Sequence, residues 1–138
     1  MAELSKEAVE RLLLLVADYG RTLTKAMADA APDPELVSNV SLVALCTLDL
    51  HGPHRPGVLQ EVTGLSSGGV SKLLDRMEQA GVIKRTYGGV PGDNRGVLVS
   101  ITRRGRSLMN RFANAAAGRL PDTKAIVKEF AAALDGQS

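Results

Sequence analysis

Apolar residues recur along the first quarter of the chain at the spacing of an amphipathic helix. Behind Ser5, which can cap the helix, they stand at Ala8, Leu12, Leu15, Val16, Tyr19, Leu23 and Met27. Leu13 and Leu14 widen the stripe until the middle of the helix is apolar nearly all round. Such a helix needs burial on more than one side. The pair Ala31 and Pro32 is predicted to end it.

A second helix is predicted from about Glu35 to Leu50. Asp33 suits its N-cap and Pro34 its first helical position. Because this segment is almost continuously apolar, it is expected at the centre of the core. The following residues, 51–56, are predicted as a loop, since Gly and Pro break the helix there.

The middle of the chain changes to short elements separated by glycines. A short helix over Gly57–Thr63, a turn at Gly64 and Leu65, and a new helix capped by Ser66 form a helix-turn-helix unit. The new helix ends at Gly81. It carries an i, i+3, i+4, i+7 apolar stripe, formed by Val70, Leu73, Leu74 and Met77.

Two alternating segments then predict a β-hairpin, with strands at 82–87 and 97–101 around a glycine-rich loop at 88–96. Thr102 caps a helix that runs to about Gly118, and a last amphipathic helix follows Pro121 and Asp122. The predicted fold is mainly α with a small β-hairpin wing, a winged helix-turn-helix. We expect one domain over residues 1–138, with N-terminal dimerisation and core helices at 1–52, a DNA-binding lobe at 55–101 and C-terminal dimerisation helices at 102–138.

Charge is distributed unevenly although the net charge is only +2. Ten Lys and Arg but four Asp and Glu lie between Arg55 and Arg111, so the ends of the chain are acidic overall. A basic middle favours a polyanionic partner, although a merely solvated basic face would have the same composition.

Several function classes are disfavoured by composition. The single cysteine, Cys46, allows no intramolecular disulfide, and a cytoplasmic location is expected. The acidic start is not a signal peptide, and the longest apolar run, Leu12–Ala17, is too short to span a membrane. Few aromatic residues are available to stack on single-stranded bases.

No enzyme motif is present, so no catalytic residues and no cofactor are expected. His51 and His54 lie three apart without further ligands and make a poor metal site. Cys46 has no cationic neighbour within a helical turn, which disfavours a redox role.

Candidate DNA-binding residues lie opposite the apolar stripe of the helix that Ser66 caps. They are Ser67, Gly68, Ser71, Lys72 and Arg76, and Asp75 lies on the same face of the helix. Small residues allow close approach to DNA, and the helix N-terminus favours phosphate oxygens. Lys72 and Arg76 can donate to bases or phosphates. Near the hairpin tip, Arg95 suits a minor groove, and Asp93 can hold its guanidinium.

These segments resemble the MarR family of regulators. Residues 65–85 are similar to its recognition helix and first wing strand, Asp93–Arg95 to its wing motif, and Val99–Gly105 to its second wing strand. The resemblance implies a homodimer, built by the terminal helices, on a palindromic operator of double-stranded DNA. It gives major-groove roles to Ser67, Ser71, Lys72 and Arg76, and a minor-groove role to Arg95.

The resemblance also implies a repressor, and an effector that is a small aromatic molecule bound between the dimer helices and the DNA-binding lobe. No residue identifies that ligand. Gln60 departs from the family pattern, since a small residue usually stands there, and it predicts a slightly open helical corner. The alternative function is a winged-helix protein–protein adaptor that does not bind DNA.

Overall fold

Six helices and one antiparallel hairpin make up the part of the chain that the computed structural model describes, residues 5–31, 36, 38–88, 96–119 and 123–135. In chain order they are α1 (Lys6–Ala30), α2 (Asn39–His51), α3 (Pro56–Thr63), α4 (Ser67–Gln79), β1 (Ile83–Tyr87), β2 (Val97–Ile101), α5 (Arg103–Arg119) and α6 (Thr123–Leu134). The predicted winged helix-turn-helix is confirmed in its element order.

The first helix begins and ends where its sequence predicts. The Ser5 hydroxyl accepts the Ala8 N–H at 3.1 Å, and Ala31 closes the other end by donating its N–H to the Met27 carbonyl. α1 packs against α5 and α6. Its middle remains uncovered within one chain, because Leu13 and Leu14 are exposed.

The second helix starts four residues later than predicted. Its N-cap is Ser38, whose hydroxyl oxygen accepts the Ser41 N–H at 3.2 Å and also contacts the buried Ser41 hydroxyl at 2.9 Å. The Asp33–Pro34 cap is therefore wrong for α2 as it stands, and both residues lie outside the described part. The helix begins at the serine cap rather than at the acidic residue further upstream, because the Ser38 hydroxyl also provides a hydrogen-bond partner for the buried Ser41 hydroxyl.

The core forms around α2, as the continuous apolar run predicts. Ala44, Leu45 and Leu48 are fully buried, and α2 contacts α3, α5 and β2. Leu59 of α3 lies in the same cluster. All four stripe residues of α4 are also buried there: Val70, Leu73, Leu74 and Met77.

The helix-turn-helix corner depends on a glycine. Gly64 has φ +75°, a left-handed conformation that a residue with a Cβ adopts only with strain, and its N–H donates to the Gln60 carbonyl at 3.0 Å. Ser66 then caps α4 by accepting the Gly69 N–H at 3.1 Å. Turn and cap are both as predicted.

The hairpin has a third, one-residue partner that the sequence does not reveal. β1 and β2 pair in antiparallel register from Ile83 opposite Ile101 to Tyr87 opposite Val97. His54, predicted as loop, exchanges two backbone hydrogen bonds with Val99, at 3.0 and 2.8 Å. The segment before α3 is thus tied to the buried centre of β2.

Hydrogen bonds of Thr102 connect the end of α4, the hairpin and the start of α5. The Thr102 hydroxyl donates to the Gly81 carbonyl at 2.6 Å and accepts the Gly105 N–H at 3.1 Å, while the Thr102 N–H reaches the Val82 carbonyl at 3.0 Å. Gly105 is buried, and a Cβ on it would collide with the Val82 carbonyl oxygen and lie 2.6 Å from Ile101 Cγ1. The first turn of α5 can approach the hairpin this closely only because residue 105 has no side chain.

We expect Gly105→Ala to lower the free energy of unfolding by about 1–3 kcal/mol, the usual cost of overpacking. Gly118→Ala on the same helix is the matched control, since nothing lies within 4 Å of its added methyl. It should instead stabilise by up to about 1 kcal/mol. Urea unfolding of the two variants measures the difference, and equal effects would contradict the close approach at residue 105.

Candidate nucleic-acid interface

The predicted binding face of α4 is exposed, and the apolar stripe on the opposite side of the helix is buried. Ser67, Gly68, Ser71 and Lys72 are exposed, and Arg76 is partly buried. The hydrogen bonds of the N-terminal turn leave the N–H groups of Ser67 and Gly68 without an acceptor inside the helix. A small, polar surface with donors at its N-terminal end is what close approach to a phosphate-rich partner requires.

The residues of this face form two rows along the helix. One row borders the hairpin: Ser67 and Ser71 line a groove that β1 also lines, and further along Asp75 and Glu78 contact a hairpin residue. The other row, Gly68, Lys72 and Arg76, follows at four-residue spacing on the side away from the hairpin. The structure therefore brings Ser67 and Ser71 to the hairpin and separates them from the two cations.

Arg85 of β1 joins the hairpin to α4. Its guanidinium donates to Asp75 Oδ1 at 2.7 Å and to Glu78 Oε1 at 2.8 and 3.1 Å, and its backbone N–H donates to Glu78 Oε2 at 3.2 Å. The Arg85 side chain is only 17% exposed. Multiple bonds to a planar, largely covered guanidinium fix β1 relative to α4 more firmly than a typical surface ion pair.

Protonation of this cluster follows from the same bonds. Hydrogen bonds from the Arg85 side chain, and then from its backbone N–H, lower the pKa of Glu78. The hydrogen bond to Glu78, followed by the one to Asp75, raises the pKa of Arg85. Glu78 consequently stays ionised, and paired with Arg85, below the pH at which an ordinary glutamate takes up a proton.

The tip of the wing, residues 89–95, contains Asp93 and Arg95 and lies outside the described residues. The strands leading to it close normally, with the Gly88 N–H donating to the Gly96 carbonyl at 2.9 Å. The predicted pairing of Asp93 with Arg95, and the role of Arg95 in a minor groove, remain predictions.

Three residues near the groove were not among the candidates from sequence. Gln60 is exposed and lines the groove, and the slightly open helical corner expected from it remains a prediction. Arg85 and Tyr87 were counted only as hairpin residues. The two-residue alternation of β1 could have found them, since it places both on the same face of the strand as the buried Ile83.

The structure gives no support to a redox role of Cys46 or to a metal site among the described residues. Cys46 is half-buried, and burial, followed by the negative charge of Asp49, raises the pKa of its thiol. A raised pKa disfavours the reactive thiolate. Among the described residues, no group of three or more His, Cys, Asp or Glu could hold a metal ion, and no helix is long and apolar enough to cross a membrane.

Comparison with known proteins finds similarity in sequence over the middle of the chain and in fold over nearly all of it. Residues 37–97 match the model of the MarR family, a span that contains the helix-turn-helix and β1 and ends at the first residue of β2. The chain is therefore similar to the MarR family over 61 of its 138 residues. The HTH-type transcriptional repressor NicR of Pseudomonas putida is 29% identical over 87 residues, which cover 63% of this chain and 53% of that protein. The match thus spans about half the length of the curated relative.

Solved structures share the whole fold at low sequence identity. RV1404 of Mycobacterium tuberculosis has a TM-score of 0.72 at 19% identity, covering 98% of this chain and 96% of its own. A mutant MarR of E. coli, solved in complex with operator DNA, has 0.62 at 19%, covering 91% of each. BpsR of Bordetella bronchiseptica, whose DNA binding is regulated by 6-hydroxynicotinic acid, has 0.56 at 19%, covering 88% and 95%.

We expect Arg85→Met to lower the free energy of unfolding at neutral pH by about 1 kcal/mol, the upper range for ion pairs whose carboxylates are partly exposed. The difference from the wild type should shrink on acidification. Because the pKa of Glu78 is lowered in the folded state, its contribution is complete above the ordinary glutamate pKa and is lost as pH falls through the folded value.

Arg11→Met is the control for this measurement. Arg11 pairs with Glu7 at 2.7 Å within α1, and both side chains are more than half exposed. Its loss should cost at most about 0.5 kcal/mol. Urea unfolding of both variants at pH 7 and below about pH 4 covers the relevant range. A pH-independent cost of Arg85→Met would mean that its packing, rather than its charge, holds the hairpin.

Proposed function

We propose that this chain is a transcriptional repressor that binds a palindromic operator in double-stranded DNA as a homodimer. The observation that carries the proposal is the two-sided character of α4, with its apolar stripe buried and Ser67, Gly68, Ser71 and Lys72 exposed. A helix anchored in this way can enter a major groove with its small residues against the base edges.

In this proposal, Lys72 and Arg76 supply donors to bases or phosphates on the side of α4 away from the wing. Arg95, at the wing tip, enters the adjacent minor groove, with Asp93 orienting its guanidinium. The exposed face of α4 favours DNA over the adaptor alternative, because a protein-binding face would be expected to be apolar or acidic.

The dimeric part of the proposal is supported by exposed apolar side chains on the terminal helices. In the described part of the chain, six of the nine exposed large hydrophobic residues lie on α1 and α6: Val9, Leu13, Leu14, Val16, Val127 and Leu134. An open apolar groove of about 460 Å³ is lined by both helices, with Val16, Leu23 and Phe130 among its lining residues. A second copy would cover this surface around a two-fold axis.

Relief by a small organic ligand completes the proposal. The support is the fold shared with BpsR, a protein whose DNA binding responds to 6-hydroxynicotinic acid. The ligand of this chain would act by changing the placement of the two DNA-binding lobes relative to each other, since both must reach their half-sites at once.

Selection from a pool of random duplexes tests DNA binding. The purified protein should retain sequences that share a palindrome whose half-sites are about 10 base pairs apart, centre to centre. Lys72→Ala should weaken binding to the selected duplex and, if Lys72 contacts a phosphate, lower the salt slope by about one. Lys25→Ala, on the exposed surface of α1, is the control and should bind as the wild type does. A retained pool without a shared motif would contradict the proposed function.

Sedimentation tests the dimer. The wild type should sediment as a dimer at micromolar concentration, and Leu14→Glu should sediment as a monomer, because it places a charge at the centre of the apolar α1 face. Leu50→Glu is the matched control, since Leu50 is similarly exposed, 75% against 71%, but lies at the end of α2. A monomeric wild type, or a dimeric Leu14→Glu protein, would exclude this surface.

A further inference from the structure

A groove lies between α4 and the hairpin, and α3 also lines it through Pro56, Gly57 and Gln60. It measures about 230 Å³, and its polar lining comes from Gln60, Ser67, Ser71, Arg85 and Tyr87. We call it the α4–hairpin groove. Its volume is below the roughly 300–1,000 Å³ of pockets that enclose whole drug-sized ligands. A groove of this size suits a single group on a longer molecule that passes through it.

The proposed function places a particular part of DNA there. If α4 lies in a major groove and the wing in the adjacent minor groove, one sugar–phosphate strand separates the two. That strand must pass between α4 and the hairpin. We propose that the α4–hairpin groove is a phosphate site, in which Tyr87, Ser67 and Gln60 donate hydrogen bonds to one phosphodiester of this strand. The inference rests on the proposed function; it adds Gln60 and Tyr87 as contact residues and gives Ser67 a phosphate in place of a base edge.

Electrostatics differ between the two ends of the groove. At the inner end, near the C-terminus of α4, Asp75 and Glu78 occupy the Arg85 guanidinium. Arg85 is therefore not the phosphate ligand, although it lines the groove. At the outer end, the groove is lined by Gln60, Ser67 and Tyr87, without an acidic residue among its described lining. The positive end of the α4 dipole lies there too, so an anion is favoured at the outer end.

Tyr87 is a large aromatic residue that is exposed at the edge of this groove, where a bound strand could cover it. It is 69% exposed at the outer end of β1, on the same face of the strand as Arg85. A tyrosine ring is stiff and ends in a hydroxyl, which suits an interface that is apolar on one side and polar on the other. Hydrogen bonds from Ser, Gln and Tyr side chains to phosphates are a common means of fixing a protein on a duplex.

The test removes one hydroxyl from the groove. Tyr87→Phe should weaken binding about two- to tenfold, the effect of one hydrogen bond. A phosphate contact carries no sequence information, so the factor should be the same on the selected duplex and on an unrelated one. Thr86→Val is the matched control: it also removes one hydroxyl from β1, but from the opposite face. It should bind as the wild type does.

A duplex series carrying one uncharged methylphosphonate at a time identifies the phosphate. At one position of the strand between the two grooves, the wild type should lose affinity while Tyr87→Phe loses little more, because the contact is already absent. Losses that add at every position, or a Tyr87→Phe protein that binds like the wild type, would overturn the inference. A wild type that binds no duplex would instead refute the proposed function on which the inference rests.

Discussion

Burial of the α4 stripe is the interaction on which the rest of this structure depends. A thirteen-residue helix has little stability alone in water, and α4 begins with serine and glycine, which are poor helix formers. Val70, Leu73, Leu74 and Met77 compensate by packing into the core that α2 and α3 form. The helix can then present small residues on its outer side, although these residues alone would not stabilise a helix.

Charge placement on the same helix follows a second constraint. A surface for an anionic partner should not carry uncompensated acids, yet α4 contains Asp75 and Glu78. Both are bonded to Arg85, which lies on the neighbouring strand rather than on α4 itself. The same contact therefore offsets two negative charges and determines how far the hairpin stands from the helix. Local electrostatics and the geometry of the interface are set by one side chain.

Periodicity predicted the elements of this fold well because most of them are long or carry caps. Ser5, Ser66 and Thr102 each begin a helix as predicted, and the α4 stripe is buried as predicted. The predicted start of α2 was wrong, because Ser38 caps this helix and its bond to the buried Ser41 hydroxyl is apparent only in the folded structure. Contacts between residues far apart in the chain could not be predicted from periodicity. Arg85 bonds to Asp75, and His54 pairs with Val99, only because the fold brings separate elements together.

The backbone bridge between His54 and Val99 has a mechanical consequence. It makes the middle of β2 and the entrance to α3 one hydrogen-bonded unit, while Thr102 joins the far end of the same strand to the close of α4. A force applied to the wing is therefore transmitted to both helices of the corner rather than absorbed by a hinge at the hairpin base.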